Sequence, residues 1–187
     1  MTPIKTTLTA LTLVFAANTA FADAHATNPM VGGAEMLVER NIIENAVNSP
    51  VHTTLVAAVQ AADLVDTLQG EGPFTVFAPV NDAFAALPEG TVETLLMPEN
   101  KEMLQKILTA HVVAGNWSAA DIIKETKSSS DGFYHFEAVS GDSLSAQVRG
   151  EKVYIFDESG NAALVTTADV NQSNGVIHVI NKVLLPK

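Results

Sequence analysis

Three observations predict an α+β domain. Apolar residues recur at helical spacing through most of the first half of the chain. From Phe133 onward, short β-type runs alternate with turns rich in Gly, Asn, Asp and Ser. Inside the helical half sits Phe74-Thr75-Val76-Phe77-Ala78, an aromatic and β-branched run that needs sheet partners from elsewhere. Helices first, strands second and one shared core make the α+β pattern.

The elements follow in order. Met36 to Val47 carries apolar residues at 38, 42, 43, 46 and 47, a spacing that predicts a helix ended by Ser49-Pro50. Thr53 or Thr54 can cap the next helix, whose stripe is Leu55, Ala58, Val59 and Ala62 and continues through Leu64, Val65 and Leu68 to a stop at Gly70. The Phe74–Ala78 strand ends at Pro79, which has no N–H to donate. Asn81 is placed to cap a helix carrying Ala83, Phe84 and Leu87, with Asp82 in the first turn, where the helix dipole favours an anion. Thr91 suits the cap of a short helix, and Pro98 the start of another with the stripe Met103, Leu104, Ile107 and Leu108. His111-Val112-Val113 reads as a strand, and Ser118 with Asp121 as a capping box before Ile122. Lys127 to Gly132 is a loop. Strands are then expected at 133–139, 144–148, 153–156, 164–168 and 176–184, with Asn174-Gly175 as a hairpin turn.

The ends and the composition narrow the function classes. Lys5 is the only charge before Asp23, an apolar run covers residues 8–17, and Ala20-Phe21-Ala22 provides an A-x-A exit. Residues 1–22 therefore read as a signal peptide cleaved after Ala22, with a site after Ala24 as the alternative. The apolar run is too short for a membrane span, which takes about 20 residues. Residues 23–37 are expected as an extended lead-in, and 38–187 as one domain. A secreted or periplasmic location follows. The net charge of −11 argues against nucleic acid and anionic membrane as partners. With no cysteine, thiolate metal sites, thiol chemistry and lipidation at the cleavage site are excluded.

Two stretches resemble a known family. Thr75-Val76-Phe77-Ala78-Pro79-Val80-Asn81-Asp82-Ala83-Phe84 resembles the first conserved box of the fasciclin (FAS1) domain, and residues 174–186, NGVIHVINKVLLP, resemble the second. Leu108 to Val113 looks like the family's central Tyr-His segment. The resemblance covers about Asn41 to Pro186. It implies a wedge of two β-sheets with helices packed along one side, and an adhesion or protein-interaction role at a cell surface or extracellular matrix, without enzymatic chemistry. It also marks a candidate interaction surface at Ala110, His111, Asp169 and Val170. Phe77, Pro79, Asn81, Asp82, His111, Asn174, Gly175 and His178 are the structural residues it carries over. Val80 replaces the family's usual Thr, and Asn181 a frequent Asp. Ala110 stands at the usual Tyr, so a contact tied to that tyrosine lacks its side chain.

Candidate chemistry is sparse. His25, His52, His111, His135 and His178 show no HxH or HxxxH spacing. His111 reads as a structural residue bonded to backbone or to a residue of one of the two boxes. His178 alternates with Ile177 and Val179 and is expected on a half-exposed sheet face, His52 and His135 on the surface, and His25 in the lead-in. No G-x-S-x-G elbow, phosphate loop or dinucleotide fingerprint is present. The patterns at Asn116-Trp117-Ser118 and Asn171-Gln172-Ser173 match N-glycosylation acceptors, and Trp117 is either an exposed anchor or packed beside Ile122. No catalytic residue, cofactor or metal is assigned. An exported interaction module is the first reading, a periplasmic small-ligand or ion-binding protein the second, and a hydrolase using His111 or His178 the third.

Overall fold

The computed structural model describes residues 28–187; the leader and His25 lie outside the described residues. A two-stranded hairpin, β1 (Met30–Val31) and β2 (Ala34–Glu35), precedes six α-helices interrupted by one strand. The helices are α1 (Ile42–Asn48), α2 (Thr53–Ala61), α3 (Val65–Gln69), α4 (Asn81–Ala85), α5 (Thr91–Leu95) and α6 (Lys101–Thr109). The interrupting strand β3 (Phe74–Pro79) precedes α4, and β4 (Val112–Ala114) follows α6. Then come α7 (Ala119–Ser128), β5 (Phe133–Glu137), β6 (Ser143–Arg149), β7 (Lys152–Phe156), β8 (Ala162–Gln172) and β9 (Gly175–Ile180).

Seven strands form one sheet in the order β4-β3-β9-β8-β7-β6-β5. Only β3 and β9 pair in parallel, in the register Val76↔Ile177 and Ala78↔Val179. The register of β8 shifts between Val165 and Thr167 and again before Val170, so the long strand bends between its two neighbours. A bridge between Val113 and Ala138 and the bond from Val139 N–H to the Val112 carbonyl (2.7 Å) bring the two ends of the sheet together. The result is a barrel-like wedge with helices, as the resemblance implies.

Two cores flank β3 and β9. Val76, Ala78, Ile177 and Val179 point into the first, with Leu55, Leu104 and Leu108 from the helices. Phe77 and Ile180 point into the second, with Ile122 of α7 and the inner residues of β5–β7. The continuous apolar runs of these strands follow from burial on both faces.

Several local expectations are corrected. The first helix begins at Ile42, not Met36. Asn41 caps it in a box with Glu44, and the buried Asn45 amide holds the preceding loop through Leu37 N (3.0 Å) and O (2.7 Å). Val38 and Val47 are consequently exposed, while Val31 and Met36 of the expected lead-in join the first core. Asp63, with φ +54°, separates α2 from α3. Met103 sits one position off the buried stripe of α6 and is 58% exposed. Gly90, rather than Thr91, occupies the cap of α5.

The largest local correction concerns Asn81. Val80 is the N-cap of α4, and Asn81 is its first residue. The Asn81 carboxamide turns instead to α2. Its Oδ1 accepts from Thr54 N–H (3.1 Å) and the Thr53 hydroxyl (3.2 Å), and its Nδ2 donates to the Pro50 carbonyl (3.1 Å). Asn81 thus satisfies the amino end of a neighbouring helix, where Thr53 or Thr54 was expected to act. The hairpin turn likewise shifts by one residue to Ser173-Asn174, leaving Gly175 as the first residue of β9. A Cβ on Gly175 would lie 2.0 Å from the Phe74 carbonyl oxygen, so close parallel pairing there requires glycine.

Candidate functional site

Three of the residues singled out from sequence, His111, His178 and Asn174, form clasps between elements. The first is at His111, directly after α6. Its Nδ1–H donates to the Ile107 carbonyl (2.7 Å), and Nε2 accepts from Leu184 N–H (2.9 Å). The Leu184 donor fixes the tautomer, because Nε2 must present its lone pair. Burial lowers the imidazole pKa to about 4, against opposing pulls from the Ile107 carbonyl and the Asp157 carboxylate. Asp157 holds the same tail through Leu185 N–H (3.0 Å).

The second clasp is at His178, which is 1% exposed. The half-exposed face expected for it is corrected: β9 is buried on both sides. Its Nδ1 accepts from Asp169 N–H (3.3 Å), its Nε2 donates to the Trp117 carbonyl (2.8 Å), and its ring stacks on Phe77 at 5.7 Å. Asp169 has φ +56°, and its Oδ1 accepts from Ala119 N–H (2.7 Å) at the start of α7. Burial lowers the pKa of His178 as well.

The third clasp is Asn174. Its Oδ1 accepts from Ile42 N–H (3.0 Å), and its Nδ2 donates to the carbonyls of Leu68 (2.8 Å) and Gly70 (3.1 Å). One carboxamide thereby joins the start of α1, the end of α3 and the β8–β9 turn.

These placements revise the expected interaction surface. Ala110, His111 and Val170 are buried and offer no contact area, and Asp169 is half-buried and bonded to α7. Each is held inward because its neighbours need its backbone or ring for inter-element bonds. Asp82 lies exposed in the first turn of α4, as its helix-dipole role requires. Phe77 and Pro79 are buried in β3.

His52 also departs from expectation, being 4% exposed. Its Nδ1 lies 2.8 Å from the Ser49 hydroxyl, and its Nε2 has no hydrogen-bond partner among the described residues. Burial lowers its pKa, against a weaker pull from the Ala78 carbonyl. The ring lines an apolar cavity of about 40 Å³ in the first core, shared with Met36, Leu55 and Phe77. His135 is exposed, as expected, and sits 3.1 Å from Asp131. Trp117 is half-buried: its Nε1 donates to the Ala114 carbonyl (3.2 Å), and its ring lies against Tyr134 at 5.3 Å. Among the described residues no cluster of three or more His, Asp or Glu could hold a metal, and no helix is long and apolar enough to cross a membrane.

Sequence reasoning missed the outer face of β5–β7. The inner residues Tyr134, Phe136, Leu144, Ala146, Val153 and Ile155 belong to the second core. The alternate positions face away from it. One outer row runs Phe133, Gln147, Tyr154, Leu164, and the next His135, Ser145, Phe156, Ala162. Phe133 meets Phe156 edge-on at 5.6 Å and stacks on His135 at 6.2 Å. The Arg149 guanidinium lies 5.4 Å from the Tyr154 ring centre and 5.3 Å from that of Phe156. Period-two alternation over 133–137 and 152–156 was the signal that could have found it.

Comparison with known proteins places this geometry. The sequence profile of the Fasciclin domain matches residues 50–186. Protein sll1483 of Synechocystis is 52% identical over 145 residues, covering 78% of this chain and 73% of that protein. Immunogenic protein MPB70 of Mycobacterium bovis is 32% identical over 171 residues, covering 89% of this chain and 78% of its relative. The structure of a FAS1 domain pair from the insect cell adhesion molecule fasciclin I superposes with a TM-score of 0.69 at 19% identity, over 78% of this chain and 51% of that one.

Proposed function

The chain belongs to the fasciclin domain family, and from that premise we propose that it is an exported, non-enzymatic interaction module. It works by presenting a rigid surface to a protein, cell-surface or matrix component. Fasciclin domains generally serve protein or cell-surface interactions, and the specific adhesive role is our reading for this chain. The observation that carries it is how the buried polar side chains are used. Both ring nitrogens of His111 and of His178 are bonded to backbone groups, which leaves no lone pair for a proton transfer. That weighs against the hydrolase reading. The outward chemistry lies on a sheet face fixed from behind by the second core.

The test is binding of purified residues 23–187 to intact cells, envelope fractions and extracellular matrix. Saturable retention on at least one of these is expected. Absence of binding to all three overturns the reading.

A small-ligand role has one observation in its favour, the apolar cavity beside the unpartnered His52 Nε2. At about 40 Å³ it has room for only a few water-sized groups. A thermal-shift panel of small apolar alcohols and envelope metabolites decides the matter, and a flat panel removes this alternative.

A further inference from the structure

We propose that an apolar recess between α3, α6 and Val139 docks a basic segment of a partner protein and seats one aliphatic side chain from it. The proposal rests on the interaction reading above and names the surface and partner chemistry for it. Three observations carry it. The first is the recess itself, of about 30 Å³. Leu64 and Phe74 wall it, the buried Leu68, Leu108 and Val112 form its floor, and Val139 stands at its rim. Val139 is 50% exposed yet fixed in place: its N–H donates to the Val112 carbonyl (2.7 Å), and the adjoining Ala138 N–H donates to the Asp142 carbonyl (2.9 Å). A rigid apolar rim beside an apolar recess is the form that anchor pockets take at protein interfaces.

The second is the give in the floor. Leu68, Leu108 and Val112 also line the cavity of about 40 Å³ in the first core, so one layer of side chains separates the two voids. A void leaves the side chains around it without contacts on one side. These three can therefore shift inward and deepen the recess when a side chain enters. At its resting size the recess takes the equivalent of about two or three waters. That fits the branched end of Leu, Ile or Val rather than an aromatic ring. So small a seat cannot hold a free small molecule tightly, and the rest of the binding comes from the rim.

The third is the sign of the rim. Asp66 adjoins the lining residue Thr67, Glu71 lies on the turn into Phe74, and Glu137 alternates with Val139 across the buried Ala138. All three carboxylates are exposed, and among the described residues none forms an ion pair. The lysines of α6 are engaged: Lys101 pairs with Asp63, and Lys106 pairs with Asp142 (3.6 Å) and donates to the Lys187 carbonyl. A fitting partner therefore carries Lys or Arg beside its aliphatic residue, and the net charge of −11 steers it to the surface. The aromatic row of β5–β7 takes no part, because Arg149 already covers the Tyr154 and Phe156 rings.

The experiment titrates residues 23–187 against three labelled peptides by fluorescence anisotropy: Lys alternating with Leu, Lys alternating with Ser, and Glu alternating with Leu. Binding to the Lys–Leu peptide, weakened by added salt, and none to the other two are the expected results. V139S, which removes the apolar rim, should weaken it about tenfold, and D66K and E137K about fivefold each. E151K makes the same charge change at the β6–β7 turn, at the far end of the meander from Val139, and should leave binding unchanged. All four positions are exposed, and circular dichroism confirms that the variants fold. No binding of the Lys–Leu peptide, equal binding by V139S and wild type, or equal binding of the Lys–Leu and Lys–Ser peptides overturns the proposal. So does a loss in E151K as large as that in E137K, because net charge alone would then attract the peptide. If cells or envelope fractions retain the chain but the Lys–Leu peptide does not bind, this surface fails and the interaction reading stands. Failure on every target overturns both.

Discussion

The β3–β9 pair and the β5–β7 meander use similar residues in different surroundings. In β3 and β9, nearly every side chain is buried, odd and even positions alike, because a core lies on each side. In β5–β7 only alternate positions meet a core, and the others form a half-exposed aromatic row. The two-sided pair determines whether the domain folds. It holds the parallel register, all of the His178 clasp that β9 supplies, and the close Gly175 contact. The one-sided meander leaves half of its residues free of that duty.

Substitutions separate the two regions, and the largest effect belongs to the pair. Phe77→Ala removes a ring that is 1% exposed and stacks on both Phe136 and His178, so a loss of about 3–5 kcal/mol is expected in denaturant melts. A loss near zero would place the second core elsewhere.

Acid comes next. The pKa of His111 in the folded chain is about 4, below its unfolded value of 6.5. Above pH 6.5 the ring is neutral in both states and the clasp costs nothing. As pH falls from 6.5 towards 4, the unfolded chain takes up a proton that the folded chain refuses, and stability declines. His52 and His178 are shifted in the same direction and add to this decline. For His111 alone the loss is of order 3 kcal/mol across the window. Melting temperatures measured from pH 7.5 to 4.5 check it, and a flat profile would contradict the neutral, bridging imidazole. His111→Gln, which keeps a donor and an acceptor, should reduce the slope.

Asn81→Ala should cost about 0.5–2 kcal/mol through loss of the cap. Because that cap serves α2, hydrogen exchange should quicken at Thr54 and its neighbours rather than in α4. Exchange confined to α4 would restore the local-cap expectation. Smallest of all, Arg149→Ala on the meander should stay within about 0.5 kcal/mol of wild type. A larger loss would mean that the outer face contributes to the fold.

How far the sequence could be read follows the same division. The strand at 74–78, the second-half strands and the Ser118–Asp121 box were legible because each rests on short-range signals. The role of Asn81 was not. A carboxamide can satisfy any nearby helix end, and only the packing of α2 beside α4 selects which one. His178 was misread because alternation implies one wet face, an assumption that fails for a strand between two cores. The burial of Ala110, His111 and Val170 was illegible for a related reason: neither spacing nor resemblance reveals which side of a segment the fold covers. The aromatic outer row was visible as alternation, but nothing local marked which face would remain open.

The contact between Val113 and Ala138 has a consequence beyond shape. Strands at the two ends of an open sheet expose unpaired N–H and C=O groups, which act as templates for aggregation. Here Val139 N–H meets the Val112 carbonyl, so each end of the sheet occupies part of the other. A chain with no disulfide to restrain it therefore shields its own terminal strands from strangers, and concentrated samples should resist fibril formation until that seam is opened.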